Sequence, residues 1–272
     1  MKTRHFCAIL FLVSVPEWLN AQNLELFDEK TPNGFILYSK NSEFFPISVT
    51  LELKLKNLES SGGKKMNFVV PPSTDKYKIC ELTIKDAGES YGFKSDFKTC
   101  MGDITSANYD TSVVYDLPFQ SGKTYNLFQG YNGKMTHKNE NSLDFTMKIG
   151  TEILAAREGT VVQVVQKNSR NCPDKDCMKI NNYVTIMHPD GSFASYVHIK
   201  YNGAKVNLGD KVNRGDIIAL SGNVGYSLGP HLHFVCFKPG FDKVSTIPTK
   251  FKVDDGRQAI FLKEGNSYTR NY

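Results

Sequence analysis

Tryptophan is almost missing from this 272-residue chain: the only one, Trp18, lies within the first twenty residues. No apolar run reaches the roughly 20 residues of a membrane-spanning helix, and the longest candidate, Phe6 to Val15, is far shorter. The net charge of +5 is spread without a Lys/Arg stripe, which argues against nucleic-acid binding. No histidine falls between His5 and His137, so the first half has no obvious reactive cluster. The six cysteines match no common zinc-cluster spacing, so thiolate-held metal is a poor reading. No long amphipathic helix is predicted either.

What is present at the start reads as an export signal. Lys2 and Arg4 precede the short apolar stretch, and Ala21 offers a small residue before Gln22, the pattern of a cleaved signal peptide over residues 1–21. The expectation is a periplasmic or secreted protein with no integral membrane span after cleavage. A lipid anchor fits poorly, since Cys7 lies inside the apolar run. Cleavage would remove two basic residues and one acidic one, leaving a mildly basic chain. Cysteine usage agrees with an oxidising compartment. Cys172 and Cys177 bracket a polar stretch and could staple a loop tip, Cys80 and Cys100 could tie neighbouring strands, and Cys236 reads as a buried free thiol. Spacing alone leaves the pairing open.

The rest reads as all-β. Val49, Leu51, Leu53 and Leu55 alternate with Thr50, Glu52, Lys54 and Lys56, the period of a strand with one buried face. Cys80, Leu82 and Ile84 alternate likewise. Turn-rich segments such as Ser60-Ser61-Gly62-Gly63 separate them. Residues 22–118 are therefore expected to form a small β-sandwich-like domain with a structural or regulatory role. Beyond Leu117-Pro118-Phe119 glycines become regular, and strands are predicted at 152–156, 160–166, 183–187, 193–198, 217–221, 231–237 and 258–262. Residues 119–272 are expected to form a second, antiparallel β domain.

The remaining histidines are His137, His188, His198, His231 and His233. His231 and His233 are two apart, so on a strand both imidazoles project from one face while Leu232 and Phe234 turn to the core. A bare His-x-His pair is weak evidence. Asp144, however, sits between Leu143 and Phe145, an odd place for an acid without a partner. Catalytic zinc takes three ligands of His and Asp/Glu type and keeps one position open, and His137 and Asp144 offer the missing members.

Gly150-Thr151, Ala155-Ala156-Arg157-Glu158-Gly159, His188-Pro189-Asp190-Gly191, Tyr196-Val197-His198, Val206 to Val212, Gly215-Asp216-Ile217-Ile218, Ser221 to Gly225 and Gly229-Pro230-His231-Leu232-His233-Phe234 follow one another in order. Over residues 128 to 238 this series resembles the lysostaphin-like (LytM-type) zinc metalloendopeptidase family of peptidoglycan hydrolases. The resemblance implies a zinc-lined groove, with one zinc ion held by His137, Asp144 and His233. It also implies catalytic roles for His198 and His231, whose ordinary pKa lies near 6.5. The implied substrate is a peptide bond in peptidoglycan cross-links or stem peptides. His188 matches a position without a chemical role and reads as a surface histidine. Tyr196 would share a strand face with His198 and line the groove, or pack. One departure stands out: many relatives place the Asp four residues after the first His, where this chain has Asn141. Asp144 is seven residues on, and Glu140 is the alternative ligand.

Three other readings compete. A biotin- or lipoate-carrying domain shares the Gly-Asp-x-Val/Ile rhythm of 209–212 and 215–218, but neither Met147-Lys148-Ile149 nor Met178-Lys179-Ile180 lies where the modified lysine belongs. A non-catalytic relative that binds wall peptide or regulates another hydrolase usually lacks ligands, whereas this chain has all of them. A peptidase acting on secreted proteins or peptides keeps the same chemistry on another substrate.

Overall fold

The computed structural model describes residues 23–106 and 109–272. The signal-peptide expectation over 1–21 lies outside the described residues. Among the described residues the regular structure is β throughout, apart from one short 3-10 turn at Lys175–Ile180, and none forms a helix long and apolar enough to cross a membrane.

The N-terminal strands form two sheets. Leu24–Thr31, Gly34–Asn41, Thr74–Ile84 and Leu58–Ser60 make one, while Lys65–Val70, Ile47–Lys56 and Gly92–Met101 make the other. The alternation around Val49 has its expected cause: Ile47, Val49, Leu51 and Leu53 are buried while Glu52, Lys54 and Lys56 are exposed. They bury against Leu37, Leu82 and Val70 in one apolar cluster. Cys80 and Cys100 lie in different sheets and are free, buried thiols, so the strand-tying disulfide between them does not form. Cys172 and Cys177 are bonded, and Cys236 is free and buried.

A nine-stranded sheet organises the rest. In spatial order it runs Lys211–Val212, Gly159–Val165, Tyr183–Met187, Phe193–Val197, His231–Lys238, Ser142–Thr146, Lys123–Gln129 and Ser267–Arg270, with Ser245–Thr246 pairing His231–Lys238 off this path. Strand His231–Lys238 is central, and its alternation divides the molecule. Leu232, Phe234 and Cys236 turn into one core with Leu143, Phe145 and Tyr196. Val235 and Phe237, two and four residues beyond His233, belong instead to the N-terminal apolar cluster, together with Phe193 and Val162. Phe45 packs edge-on against Phe193, which stacks on Phe237. Each such buried aromatic contributes about 1.5–3 kcal/mol of apolar burial. The N-terminal sheets thus cover one end of the sheet face whose other end carries His231 and His233.

His188 is not on the surface. It is 1% exposed, its Nδ1–H donates to the Glu158 carbonyl at 2.7 Å, and its ring meets Tyr115 edge-on. Burial pushes its pKa down to about 4 against the pull of that hydrogen bond. A neutral imidazole is therefore built in. As pH falls from 6.5 towards 4, the unfolded chain takes up a proton that the folded chain refuses, so stability is lost on acidification. Between pH 7 and pH 5 this one group should lower unfolding free energy by about 2 kcal/mol. Urea titrations at the two pH values check it: a His188→Gln variant should show a pH dependence weaker by that amount.

Candidate metal centre

Three strands and one loop build the site. Asp144 lies directly opposite His233 across the Ser142–Thr146/His231–Lys238 ladder, and directly opposite Gln129 on its other side. Residues paired across a ladder share a face, so the register alone places a carboxylate between an imidazole and an amide. His137 comes from the loop joining Lys123–Gln129 to Ser142–Thr146. That loop is held by the Gln129 side chain, which accepts from the Thr136 N–H at 3.0 Å and donates to the Thr136 hydroxyl at 2.6 Å. The backbone N–H of Glu140 donates to the His137 carbonyl, and Asn141 anchors the far end to Thr246. The three extra residues between His137 and Asp144 are absorbed in this turn. Glu140 is exposed and outside the cluster, and Asn141 serves the loop rather than the site.

The ligand atoms converge. His137 Nε2 is 3.1 Å from Asp144 Oδ2 and 3.3 Å from His233 Nδ1, and His233 Nδ1 is 2.9 Å from Asp144 Oδ1. One atom from each of the three residues lies within 4.8 Å of the others, a spacing that could hold a metal ion. The tautomer of His137 is fixed: its Nδ1 sits 3.0 Å from the Gly130 carbonyl, which can only accept. Nε2 then either carries a proton that it donates to Asp144 Oδ2 or offers its lone pair to a cation that the two residues share. Two imidazoles and one carboxylate form the donor set of an open catalytic zinc site, so these residues fit zinc.

The charges of these residues are coupled. Burial works against ionising Asp144, yet hydrogen bonds from His137 and His233 outweigh it and hold the carboxyl well below its usual range. Burial also opposes charging His137, but Asp144 wins and raises its pKa. The Gln129 amide donates to Asp144 Oδ2 at 2.9 Å and orients the carboxylate from behind, as outer partners of metal ligands do. No period or motif in the sequence marks Gln129 or Thr136.

His198 and His231 stand beside this set. Their rings are 4.5 Å apart centre to centre, and His198 is 5.9 Å from the His233 ring. His231 Nε2 approaches Asp144 Oδ1 at 3.7 Å. Each Nδ1–H is committed to a backbone carbonyl, His198 to Val224 at 2.8 Å and His231 to Gly229 at 2.7 Å, so each Nε2 is left as a lone pair. The ordinary pKa near 6.5 expected of both is not retained. Burial, aided by neighbouring His231 and His233, pushes His198 down to about 3. Burial also lowers His231 against the opposing pull of Asp144.

Strict alternation would turn His198 to the same side as Tyr196. Tyr196 is fully buried in the opposite core, with its hydroxyl accepting from the Ala156 N–H at 2.8 Å, so it does not line the groove. His198 escapes because its backbone φ is +65°, a left-handed conformation uncommon outside glycine and concentrated at functional sites. The turn at this one residue brings the ring back to the metal side. The same face carries Phe128, the extra residue of an irregularity between the pairs Asp144/Gln129 and Phe145/Leu127, and its ring meets His231 edge-on.

Residues 138–244 match the family described as Peptidase family M23; the match begins one residue past His137. Over 254 residues the chain is 29% identical to an uncharacterized metalloprotease of Buchnera aphidicola subsp. Baizongia pistaciae, covering 85% of this chain and 62% of the relative. It is 39% identical over 125 residues to the peptidoglycan DD-endopeptidase ShyA of Vibrio cholerae, covering 45% of this chain and 26% of that protein. With lysostaphin of Staphylococcus simulans it shares 32% over 134 residues, 48% of this chain and 24% of the relative. The chain thus spans less than two thirds of the first of these relatives and about a quarter of the other two. The solved catalytic domain of lysostaphin from Staphylococcus simulans is 28% identical and covers 46% of this chain and 82% of that one, with a TM-score of 0.33.

Proposed function

We propose, for a chain that carries a peptidase family M23 domain, that it is an exported zinc metalloendopeptidase hydrolysing peptide bonds in peptidoglycan cross-links or stem peptides. The observation that carries the reading is the convergence of His137 Nε2, Asp144 and His233 Nδ1, a ligand set of zinc type, beside the rings of His198 and His231. His137, Asp144 and His233 would hold the ion. The peptidoglycan substrate follows the named activity of ShyA, and export follows the basic-then-apolar start of the chain. Residues 22–118 would serve as a structural or regulatory β domain and 119–272 as the peptidase.

Zinc, when bound, supplies Lewis acidity that activates a water and polarises the scissile carbonyl. The chain's own residues do the rest. Asp144 keeps its charge because His137 and His233 favour the carboxylate, and Gln129 fixes its orientation. His198 and His231 are neutral at pH 7, and their Nε2 lone pairs can accept a proton from the attacking water. Once protonated, such an imidazole can stabilise developing negative charge or pass its proton to the leaving amine.

The division of labour between holding and proton handling makes a prediction. His198→Ala and His231→Ala should each retain about one zinc per chain, because neither is among the three ligands, yet lose about 10²- to 10⁴-fold in kcat. Metal analysis of the purified variants beside their turnover checks it. For the reading as a whole, the protein should release dye from dye-labelled cross-linked peptidoglycan; a zinc chelator should stop the release, and added zinc should restore it. A protein that binds zinc but cleaves neither wall material nor test peptides would instead be a binding or regulatory relative. Cleavage confined to ordinary proteins would move the substrate.

A further inference from the structure

His198 and His231 take their orientation from a single loop. The Val224 carbonyl receives one Nδ1–H and the Gly229 carbonyl the other, with the Ser227 hydroxyl 3.2 Å from His231 Nδ1 and bonded to Asn223 and Gly229. That loop is gripped from outside by residues 170–182. Asn171 and Cys172 pair in parallel with Gly225 and Tyr226. The Gly225 N–H donates to the Arg170 carbonyl at 2.9 Å, the Tyr226 N–H to Asn181 Oδ1 at 2.9 Å, and Asn171 Nδ2 to the Ser227 carbonyl at 3.1 Å. The approach is at backbone level: a Cβ on Gly225, whose φ is +87°, would fall 1.9 Å from Asn181 Oδ1.

The gripping segment is anchored at its far end by Asn182, which is fully buried and donates to the Asn168 and Ile199 carbonyls, but its middle is not packed. Its 3-10 turn Lys175–Ile180 has no buried residue. What closes it is covalent, the Cys172–Cys177 disulfide, helped by the Asp174 side chain capping the Asp176 N–H. The metal ligands use other supports, since His137 leans on Gly130 and Asp144 on Gln129 and His233. The rings of the ion-holding set and of the proton-handling pair are therefore oriented by different hydrogen-bond partners, although His231 and His233 share one strand.

We propose that segment 170–182, whose middle the Cys172–Cys177 disulfide closes, is a positioning element for His198 and His231, with Asn181 the residue that passes its constraint to the loop. This deepens the peptidase reading and rests on it for the roles of the two histidines. An opened staple should let the loop drift while the metal stays. Displacements of about 1 Å at reacting groups can cost about 10²-fold in rate, whereas binding to the groove and to the ion is untouched.

The test uses the full chain with zinc bound, in three variants: Cys172→Ser with Cys177→Ser, Asn181→Ala, and Asn181→Asp, which keeps an acceptor for the Tyr226 N–H. Zinc content, kcat, KM and the ring-nitrogen NMR signals of the histidines are read for each. The first two variants should keep about one zinc per chain and the wild-type KM, lose about 10- to 100-fold in kcat, and shift the His198 and His231 signals but not those of His137. Asn181→Asp should recover most of the rate. Unchanged kcat with unchanged His198 and His231 signals would overturn the proposal, as would loss of zinc together with activity. If the wild-type protein cleaves no peptide, the peptidase reading fails on its own. The ring signals then decide: their shift upholds the positioning role, and their constancy ends it.

Discussion

His233→Ala should abolish both metal binding and hydrolysis. His233 offers Nδ1 to the site, 2.9 Å from Asp144 and 3.3 Å from His137, and no other described side chain is placed to substitute. His231, the nearest candidate, has its Nδ1 committed to Gly229 and reaches Asp144 only at 3.7 Å through Nε2. A metal Lewis acid supplies several kcal/mol to the transition state, and each ~1.4 kcal/mol is tenfold in rate. Turnover should therefore fall at least ~10³-fold, with zinc content near zero after dialysis. His198→Ala is the contrast, with similar loss of rate but the metal kept. A His233→Ala protein that retained zinc and full activity would place the centre elsewhere.

Asp144→Asn should weaken zinc binding by ~10³-fold or more, since outer partners of metal ligands already cost 10–100-fold and Asp144 contacts the ion's position directly. The substitution keeps the shape and removes the charge that His137 and His233 stabilise. The amide also replaces one carboxylate acceptor with a donor beside His137 and His233. Glu140→Gln should change nothing measurable, because Glu140 is exposed on the turn and does not approach the cluster. Competition titrations with a zinc-sensitive dye separate the two variants. Equal losses in both, or a loss only in Glu140→Gln, would mean that the long loop rearranges to use Glu140.

Much of this was legible in the sequence because β-strands write their geometry in a period of two. Val49 to Lys56 lies within strand Ile47–Lys56, and His231 and His233 share a face because they are two apart on a strand. The short strands around residues 152, 160, 183, 193, 217 and 258 appear close to where alternation and glycine turns put them. Other features depend on contacts that no local pattern encodes. The backbone reversal at His198 breaks the alternation that would have set it beside Tyr196. His188 reads as a surface histidine and is instead buried against Tyr115. Gln129 looks like any polar strand residue, and only the register opposite Asp144 shows why an amide is there. Only resemblance favours Asp144 over Glu140 in the sequence, and the convergence of Asp144 with the two histidines depends on loop contacts 7 to 105 residues apart in sequence.

The apolar cluster of the N-terminal sheets takes in Val162, Phe193, Val235 and Phe237. Val235 and Phe237 continue the face of His231 and His233 along one strand. This packing ties the N-terminal sheets to the strand that carries two of the four site histidines, so a loss of packing there would be felt at the metal.

The most direct test of the central claim is hydrolysis of a defined, cross-linked peptidoglycan fragment in ¹⁸O-labelled water, read by mass spectrometry. The account predicts that one peptide bond is lost, with a new amine on one product and one ¹⁸O atom in the new carboxylate of the other. It also predicts that the reaction is silenced by a zinc chelator and by His233→Ala. An intact fragment after incubation with the zinc-loaded protein, or cleavage that survives both treatments, would contradict it.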